Sequence, residues 1–371
     1  MYVPRVRHGF DVPRPLITAL TVLCAILTAV LAAALFVRST SDDGPLGLPG
    51  AALLAPTTAI AYAVREGSFD SIYVRSLDGS GSPRLLESFP VLFNLRVRGS
   101  AAPSGDTLAI LHIDSGLGAE ARLSLVDVAT GETRDIEGGF DYLSSMAWHP
   151  GGQSLVVTRS VAPDDPARGA ILVEVDVPTL AARERHTFSG ANRVHPVGYT
   201  ADGSGIFVVV IDQAGSTLWS VSDGPPVRVA SLSPGLTRDW ALSPDASRLA
   251  FIDRLGAGGR SQAGRVLIIA TGAIADAGLS GDQFGAAWRP GAAVPDFGGP
   301  EGTVRLSAAR EGQYLAPIAW APDGAHLVAS VFVPGEAGAP ATERIEILSA
   351  AQRVRLAEQD SAAFLGLVRH D

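Results

Sequence analysis

The chain has 371 residues, and its 38 acidic residues outnumber its 29 basic ones, which gives a formal net charge of −9. Every one of those basic residues is an arginine, so Schiff-base chemistry and lysine general-base catalysis are excluded. The acidic excess argues against nucleic acid as a partner, because no basic surface is available to neutralise phosphates. The single cysteine, Cys24, excludes a disulfide framework, a zinc–cysteine cluster and a cysteine nucleophile in the folded part.

The first feature along the sequence is an uncharged, apolar stretch from Leu16 to Val37. As a helix it would be about 33 Å long, which is enough to cross the hydrocarbon core of a membrane. Arg5, Arg7 and Arg14 precede it and acidic residues follow it, so the positive-inside rule places the N-terminus in the cytoplasm. We therefore expect a cytoplasmic tail (1–15), a transmembrane signal anchor (16–37) and an extracytoplasmic linker (38–55). The alternative is a signal peptide that is cleaved after small residues near Ala33.

From Pro56 onward the sequence repeats a unit of about 46 residues. In each unit an apolar strand ends at a turn of the Pro-Asp-Gly type, a second apolar strand follows, and two further strands lead to the next unit. Four short strands in a repeat of this length are the signature of a β-propeller blade. The residues at the turn position are Pro56, Pro103, Pro150, Ala201, Pro244, Pro290 and Pro322.

The repeat predicts an all-β propeller of about seven four-stranded blades over residues 56–371. The sixth unit departs from the pattern, because Pro290 is followed by a stretch rich in glycine and proline (Ala292 to Gly302) and the next turn comes early. Six blades with an insertion are therefore the alternative. The first unit lacks an inner strand, and Ala363–Val368 has the pattern of one, so we expect this C-terminal strand to close the ring.

Aromatic residues lie shortly before most of the turns. We interpret them as packing between blades rather than as ligand contacts, because a blade cannot bury its faces alone. They are Trp148, Tyr199, Trp240, Trp288 and Trp320.

The recurring motif resembles the WD40-like repeats of the TolB-type β-propellers. Trp320-Ala321-Pro322-Asp323-Gly324 carries the likeness most clearly, and the versions that begin at Trp148 and Trp240 share it. The resemblance extends from about Pro56 to the end of the sequence. It implies a propeller fold but no single function, since these propellers serve many roles. TolB itself has an α/β domain before its propeller, where this protein has only the short linker, so TolB's partners are not carried over.

We find no motif that predicts catalysis, a metal site or a cofactor. Related propellers also cap serine peptidases, but those need a nucleophile elbow of the type Gly-x-Ser-x-Gly, which is missing from this sequence. The histidines show no metal-ligand spacing, and the Asp-Gly pairs lack the additional acids that a calcium loop requires. Turn chemistry accounts for those pairs.

A binding face is expected where the loops lead into the inner strands, and aromatic and arginine side chains there are the best candidates. They are Tyr142, Arg193, His195, Arg238, Asp239 and Tyr314. The sequence thus predicts a membrane-tethered, extracytoplasmic propeller that binds a protein or another ligand as a scaffold in the bacterial cell envelope. The expected partner is an envelope protein. The alternative is a propeller enzyme, lactonase-like or glycan-hydrolase-like, with its site at the central channel.

Overall fold

The computed structural model describes residues 58–92, 95–113, 120–160, 169–255, 261–299, 313–333, 335, 342–357 and 362–369. The expected cytoplasmic tail, transmembrane helix and linker lie outside these residues. In the described ranges no helix is long and apolar enough to span a membrane. Regular structure in those ranges consists of strands.

The strands are short and follow one another in antiparallel pairs. In sequence order they are β1 (Thr58–Glu66), β2 (Phe69–Ser76), β3 (Arg84–Pro90), β4 (Arg98–Ala101), β5 (Thr107–His112), β6 (Glu120–Asp127), β7 (Thr133–Asp141), β8 (Ala147–Trp148), β9 (Ser154–Ser160), β10 (Gly169–Asp176), β11 (Ala182–Ser189), β12 (Arg193–Tyr199), β13 (Ile206–Asp212), β14 (Gly215–Val221), β15 (Val227–Ser233), β16 (Thr237–Leu242), β17 (Arg248–Leu255), β18 (Ser261–Ile268), β19 (Ala273–Asp276), β20 (Phe284–Ala287), β21 (Asp296–Gly298), β22 (Tyr314–Trp320), β23 (Leu327–Val333), β24 (Thr342–Leu348), β25 (Arg353–Arg355) and β26 (Ala362–Arg369).

In the residues that the structure describes, six four-stranded sheets form the six blades of an all-β propeller. From the innermost strand outward they are β26-β1-β2-β3, β4-β5-β6-β7, β8-β9-β10-β11, β12-β13-β14-β15, β16-β17-β18-β19 and β22-β23-β24-β25. A seventh sheet, β20-β21, has only two strands and packs between the fifth and sixth blades. The expectation of about seven four-stranded blades is therefore not confirmed. The described part of the broken sequence pattern after Pro290 includes β21 of this short sheet.

The hydrophobic core consists of separate clusters that lie between neighbouring blades. The second strands are apolar on both faces, as in β13, where six of the seven residues are buried. Ile206 packs with Leu172 of the third blade, whereas Phe207 packs with Phe251 of the fifth. Alternate side chains of one strand thus pack against the two neighbouring blades. This is why a single blade is not stable without the ring.

The ring closes through β26, which pairs with β1 in an antiparallel register from Thr58–Arg369 to Val64–Ala362. The last strand in the described ranges, β26, is therefore the innermost strand of the first blade. It packs closely against β4 of the second blade. A Cβ atom on Gly366 would lie only 2.4 Å from the Cβ of Ala101, so glycine is required at this approach.

Tryptophans before the turns join consecutive sheets. The indole Nε1 of Trp148 donates to the carbonyl oxygen of Ser100 at 3.1 Å, and that of Trp288 donates to the carbonyl of Ala241 at 2.9 Å. Trp320 Nε1 donates to the Oδ2 atom of Asp296 at 2.9 Å. In each case the acceptor lies in the preceding sheet. These three rings are buried, and the interpretation of the motif tryptophans as inter-blade packing is confirmed for them.

Candidate functional site at the channel mouth

The six residues proposed from the sequence all lie at the end of the propeller where the innermost strands begin. Tyr142 is in the connection from β7 to β8, Arg193 and His195 open β12, Arg238 and Asp239 lie early in β16, and Tyr314 is the first residue of β22. We call this end the channel mouth. The structure separates the six residues into two groups of three, one on each side of the junction between β12 and β16.

The first group gathers around an arginine that sequence reasoning missed. Arg98, at the start of β4, donates from Nη1 to the carbonyl oxygen of Tyr142 at 3.2 Å. The Tyr142 hydroxyl in turn donates to the carbonyl oxygen of Arg96 at 2.5 Å. We refer to Arg98, Tyr142, Arg193 and His195 as the arginine cluster. The alternation of Arg96 and Arg98 directly before an inner strand was the available signal for Arg98.

The charges in this cluster act on one another. Burial lowers the pKa of the Arg98 guanidinium, with Tyr142 and Asp141 opposing this effect and the positive charge of Arg193 adding to it. Burial also lowers the pKa of His195 to about 4, with Arg193 and Arg98 adding to the effect and Asp141 opposing it. His195 is therefore neutral at pH 7. Its ring packs against Trp240 of the next blade, with the ring centroids 4.8 Å apart.

Arg238 and Asp239 of the second group border an open cavity of about 460 Å³ between the fifth blade, the short sheet and the sixth blade. We call it the Arg238 cavity. Arg238 Nη2 donates to Gln262 Oε1 at 2.5 Å, and its guanidinium carbon lies 5.8 Å from the centre of the Phe284 ring. Tyr314 stands beside Phe284, with the centroids 6.3 Å apart. The remaining wall includes Asp239, Trp240, Pro317, Ser330, Phe332 and Glu343.

A strained residue shapes this cavity. Asp239 has a φ of 54°, in the left-handed region that costs a non-glycine residue about 1–3 kcal/mol. It lies in a β-bulge between Arg238 and Ala241, where the register of β16 against β17 shifts. Its Oδ2 atom accepts a hydrogen bond from the Gly285 N–H at 3.0 Å, and it lies 3.5 Å from Arg238 Nε. The bulge thus turns the carboxylate toward the short sheet and beside the arginine.

A second cavity, of about 540 Å³, opens at the opposite end of the propeller between the third and fourth blades. Its central groups are bonded to each other. Glu174 accepts hydrogen bonds from Tyr199 at 3.2 Å and from Ser154 at 2.9 Å, and it pairs with Arg185 at 3.3 Å. Burial raises the pKa of the Tyr199 hydroxyl, so it remains protonated. This network joins two blades, as the sequence predicted for the aromatic residue at this position.

The arrangement closest to a catalytic triad is buried in the second blade. Ser124 lies between His112 Nε2, at 2.9 Å, and Asp135 Oδ1, at 2.6 Å, to which its hydroxyl donates. The serine is fully buried, and its proton is directed to the carboxylate rather than to the histidine. It therefore cannot act as an activated nucleophile. Within the described ranges, no three residues of the His, Cys, Asp and Glu types are grouped as metal ligands would be.

Comparison with known proteins shows similarity at the level of the fold. TolB from Acinetobacter baumannii superposes with a TM-score of 0.50 and 15% identity, over 83% of this chain and 66% of that one. The acylaminoacyl peptidase of Pyrococcus horikoshii gives 0.55 and 11% identity, over 83% of this chain and 52% of that one. The β-propeller domain of the Trilobed protease from Pyrococcus furiosus gives 0.53 and 9% identity, covering 82% and 98%.

The likeness to TolB and to the peptidase propellers supports a propeller scaffold. This chain spans just under two thirds of the length of that TolB and about half of the peptidase. No known protein-family profile matches the sequence, and no curated protein matches it significantly. The shared feature is the fold.

Proposed function

We propose that this protein is a binding module that holds a segment of a partner protein at the channel mouth, over the Arg238 cavity. The observation that carries the proposal is the cavity itself. Its volume lies in the range typical of ligand sites, and its walls combine an arginine with aromatic rings, the residue types that dominate binding hot spots.

Exposed apolar side chains at the channel mouth support a protein partner. Large apolar side chains are exposed on both ends of the propeller, but more of them lie at the channel mouth, where strand direction places the starts of the inner strands and their preceding loops. Exposed apolar side chains at the same end as a cavity are typical of an interaction surface. These residues are Phe69, Leu95, Leu143, Leu236 and Tyr314.

Photo-crosslinking in the native membrane tests this function. We expect p-benzoylphenylalanine in place of Tyr314 to give a discrete protein adduct, whereas the same group at Val227, exposed at the other end, gives none. Arg238→Ala should reduce the Tyr314 adduct at least fivefold, and Arg228→Ala on β15 should not. Equal adducts from both positions, or none from either, would contradict binding at the channel mouth.

We further propose that the propeller lies outside the cytoplasmic membrane, tethered by the apolar segment 16–37. The support is the length of that segment and the arginines before it. Alkaline phosphatase, which folds only after export, should be active when fused after residue 55 and inactive when fused after residue 15. Activity in the opposite order would exclude the proposed orientation. A mature N-terminus near Ala34 would show cleavage in place of an anchor.

A further inference from the structure

Arg98, which is half-buried, and Arg193, which is exposed, lack the acidic partners that several half-buried arginines elsewhere in the protein have. Arg65 pairs with Asp70 at 2.7 Å, Arg185 with Glu174 at 3.3 Å and Arg265 with Asp253 at 3.1 Å. In the described part of the protein, by contrast, neither Arg98 nor Arg193 forms an ion pair. The Arg98 side chain makes one hydrogen bond to a carbonyl oxygen, and the Arg193 side chain makes none with the residues that the structure describes.

These unpaired charges are held close to one another rather than dispersed. The Tyr142 connection bonds to Arg98 and Arg96, and its neighbour Ser145 donates to the carbonyl of Pro196 on β12 at 2.6 Å. This connection therefore contacts both β4, which carries Arg98, and β12, which carries Arg193. Arg98 is half-buried, so removal of its charge from water and the nearby charge of Arg193 both disfavour its charged form, and a bound negative charge would offset this cost.

The net charge of the site indicates what would compensate. Arg98 and Arg193 are positive, His195 is neutral, and Asp141 nearby is negative. The Oδ1 atom of Asp141 accepts the Leu143 N–H at 2.9 Å and forms no ion pair with either arginine. One uncompensated positive charge remains. It matches a monoanion such as a carboxylate better than a dianion such as a phosphate.

We propose that the arginine cluster binds one carboxylate group of the partner protein. This inference rests on the proposed function and names the chemistry that the channel mouth recognises. The planar guanidinium groups of Arg98 and Arg193 match the two oxygens of a carboxylate, and the neutral His195 ring keeps one N–H as a further donor. Leu143 is exposed beside the cluster and offers contact to the segment that bears the carboxylate.

Small carboxylates test the site directly. In the full-length protein in detergent, ¹³C-labelled histidine gives resonances from which His195 is assigned with His195→Gln. N-acetylglycine mimics the C-terminus of a polypeptide, N-acetyl-aspartic acid α-amide mimics an acidic side chain, and N-acetylglycinamide has no charge. We expect at least one of the carboxylates to bind and to raise the pKa of His195 by about one unit, because a negative charge favours the imidazolium. The carboxylate that binds more tightly shows whether the partner presents a C-terminal carboxylate or an acidic side chain.

Matched variants connect the effect to the cluster. Arg193→Gln should weaken carboxylate binding at least tenfold, whereas Arg228→Gln, an exposed arginine at the opposite end, should not change it. Arg98→Gln should act like Arg193→Gln if it folds. The proposal is overturned if the amide shifts His195 as much as the acids do, if inorganic phosphate binds more tightly than both carboxylates, or if Arg193→Gln has no effect.

The outcome is separable from that of the crosslinking experiment. If a Tyr314 adduct forms but no carboxylate binds, the docking proposal stands and the carboxylate site is rejected. If carboxylates bind and no Tyr314 adduct forms, the arginine cluster is an anion site, and the proposal that a partner protein docks at the channel mouth is rejected.

Discussion

At the scale of single residues, the environment of a side chain decides its chemistry more than its type does. His195 and Asp202 both have shifted pKa values, for opposite physical reasons. His195 is held among arginines in a partly buried site that disfavours its charged form. Asp202 is exposed, and hydrogen bonds from Thr200 and Ser204 favour its charged form. The first residue lies at the proposed site, whereas the second stabilises a turn.

His195 should make the fold sensitive to mild acid. Its folded pKa of about 4 lies below the ordinary value of 6.5, so below pH 6.5 the unfolded state binds a proton that the folded state does not. Stability is then lost as pH falls from 6.5 to 4, by at most about 3 kcal/mol. Urea unfolding at stepwise pH should show this slope, and His195→Gln should flatten it. If stability depends on pH in the same way in His195→Gln, the loss of stability in acid comes from other titratable groups.

Asp202 should have the opposite pH dependence. Hydrogen bonds from the Thr200 hydroxyl at 2.6 Å and from Ser204 lower its pKa to about 2. A depressed carboxyl pKa contributes stability that is complete above the unfolded value near 4. It is lost as pH falls through 2.

The matched pair Asp202→Ala and Asp202→Asn tests this turn. We expect the alanine variant to be less stable than wild type at pH 7, with the difference shrinking toward pH 2. Asparagine keeps an acceptor oxygen for the turn, so the asparagine variant should lose less stability than the alanine variant. Chemical denaturation across this pH range measures both, and a difference that does not depend on pH would contradict the role of the ionised carboxylate.

At the scale of elements, close approaches between inner strands set where side chains are allowed. Gly285 on β20 has a φ of 64°, and a Cβ atom there would lie 2.5 Å from the carbonyl oxygen of Pro317 on β22. Its N–H also binds Asp239 of β16. One glycine therefore keeps three neighbouring inner strands in register around the Arg238 cavity.

Gly285→Ala should cost clearly more than the same change at Gly291. Both glycines have a positive φ, but a Cβ on Gly291 meets no atom within 4 Å. Gly291→Ala should then lower the free energy of unfolding by only about 1–2 kcal/mol, the cost of a left-handed backbone conformation for alanine. Gly285→Ala should lower it by more, because its methyl group also clashes with the backbone of β22. Guanidinium unfolding of both variants measures the difference. Equal losses would mean that the ring relaxes around the new methyl group.

At the scale of the whole molecule, stability depends on closing the ring. The C-terminal β26 supplies the inner strand of the first blade, so the two ends of the folded region share one sheet. Leu365 on β26 is fully buried in the cluster between the first and second blades. The closure is thus held by side-chain packing as well as by the backbone hydrogen bonds of the strand pair.

Leu365→Ala should destabilise the propeller by about 2–5 kcal/mol, because it leaves a cavity at the closure. Leu85→Ala is the control, since Leu85 lies on β3 of the same blade and is 52% exposed. It should change stability by less than about 0.5 kcal/mol. Thermal unfolding of the two variants checks this expectation, and a mild effect of Leu365→Ala would show that the ring holds without this contact.

The local pattern of this sequence was sufficient for the blade. Trp-x-Pro-Asp-Gly motifs and alternating apolar strands depend on interactions within about 46 residues, and such local signals can be read directly. The same holds for the motif tryptophans, whose burial follows from the apolar strands on either side. The number of blades could not be predicted from the sequence in the same way. The sequence pattern of β20 and β21 is too short to show how these two strands pack between the fifth and sixth blades.

The site required the tertiary structure. The sequence identified Arg193 and His195 as residues at the start of an inner strand, but Arg98 joins them only because the Tyr142 connection contacts the inner strands of two blades. Which arginines have an acidic partner, and which do not, is decided by contacts between residues far apart in the sequence. Local preference fixes the turns and strands of this protein, whereas the charge and shape of its channel mouth arise only when the ring closes.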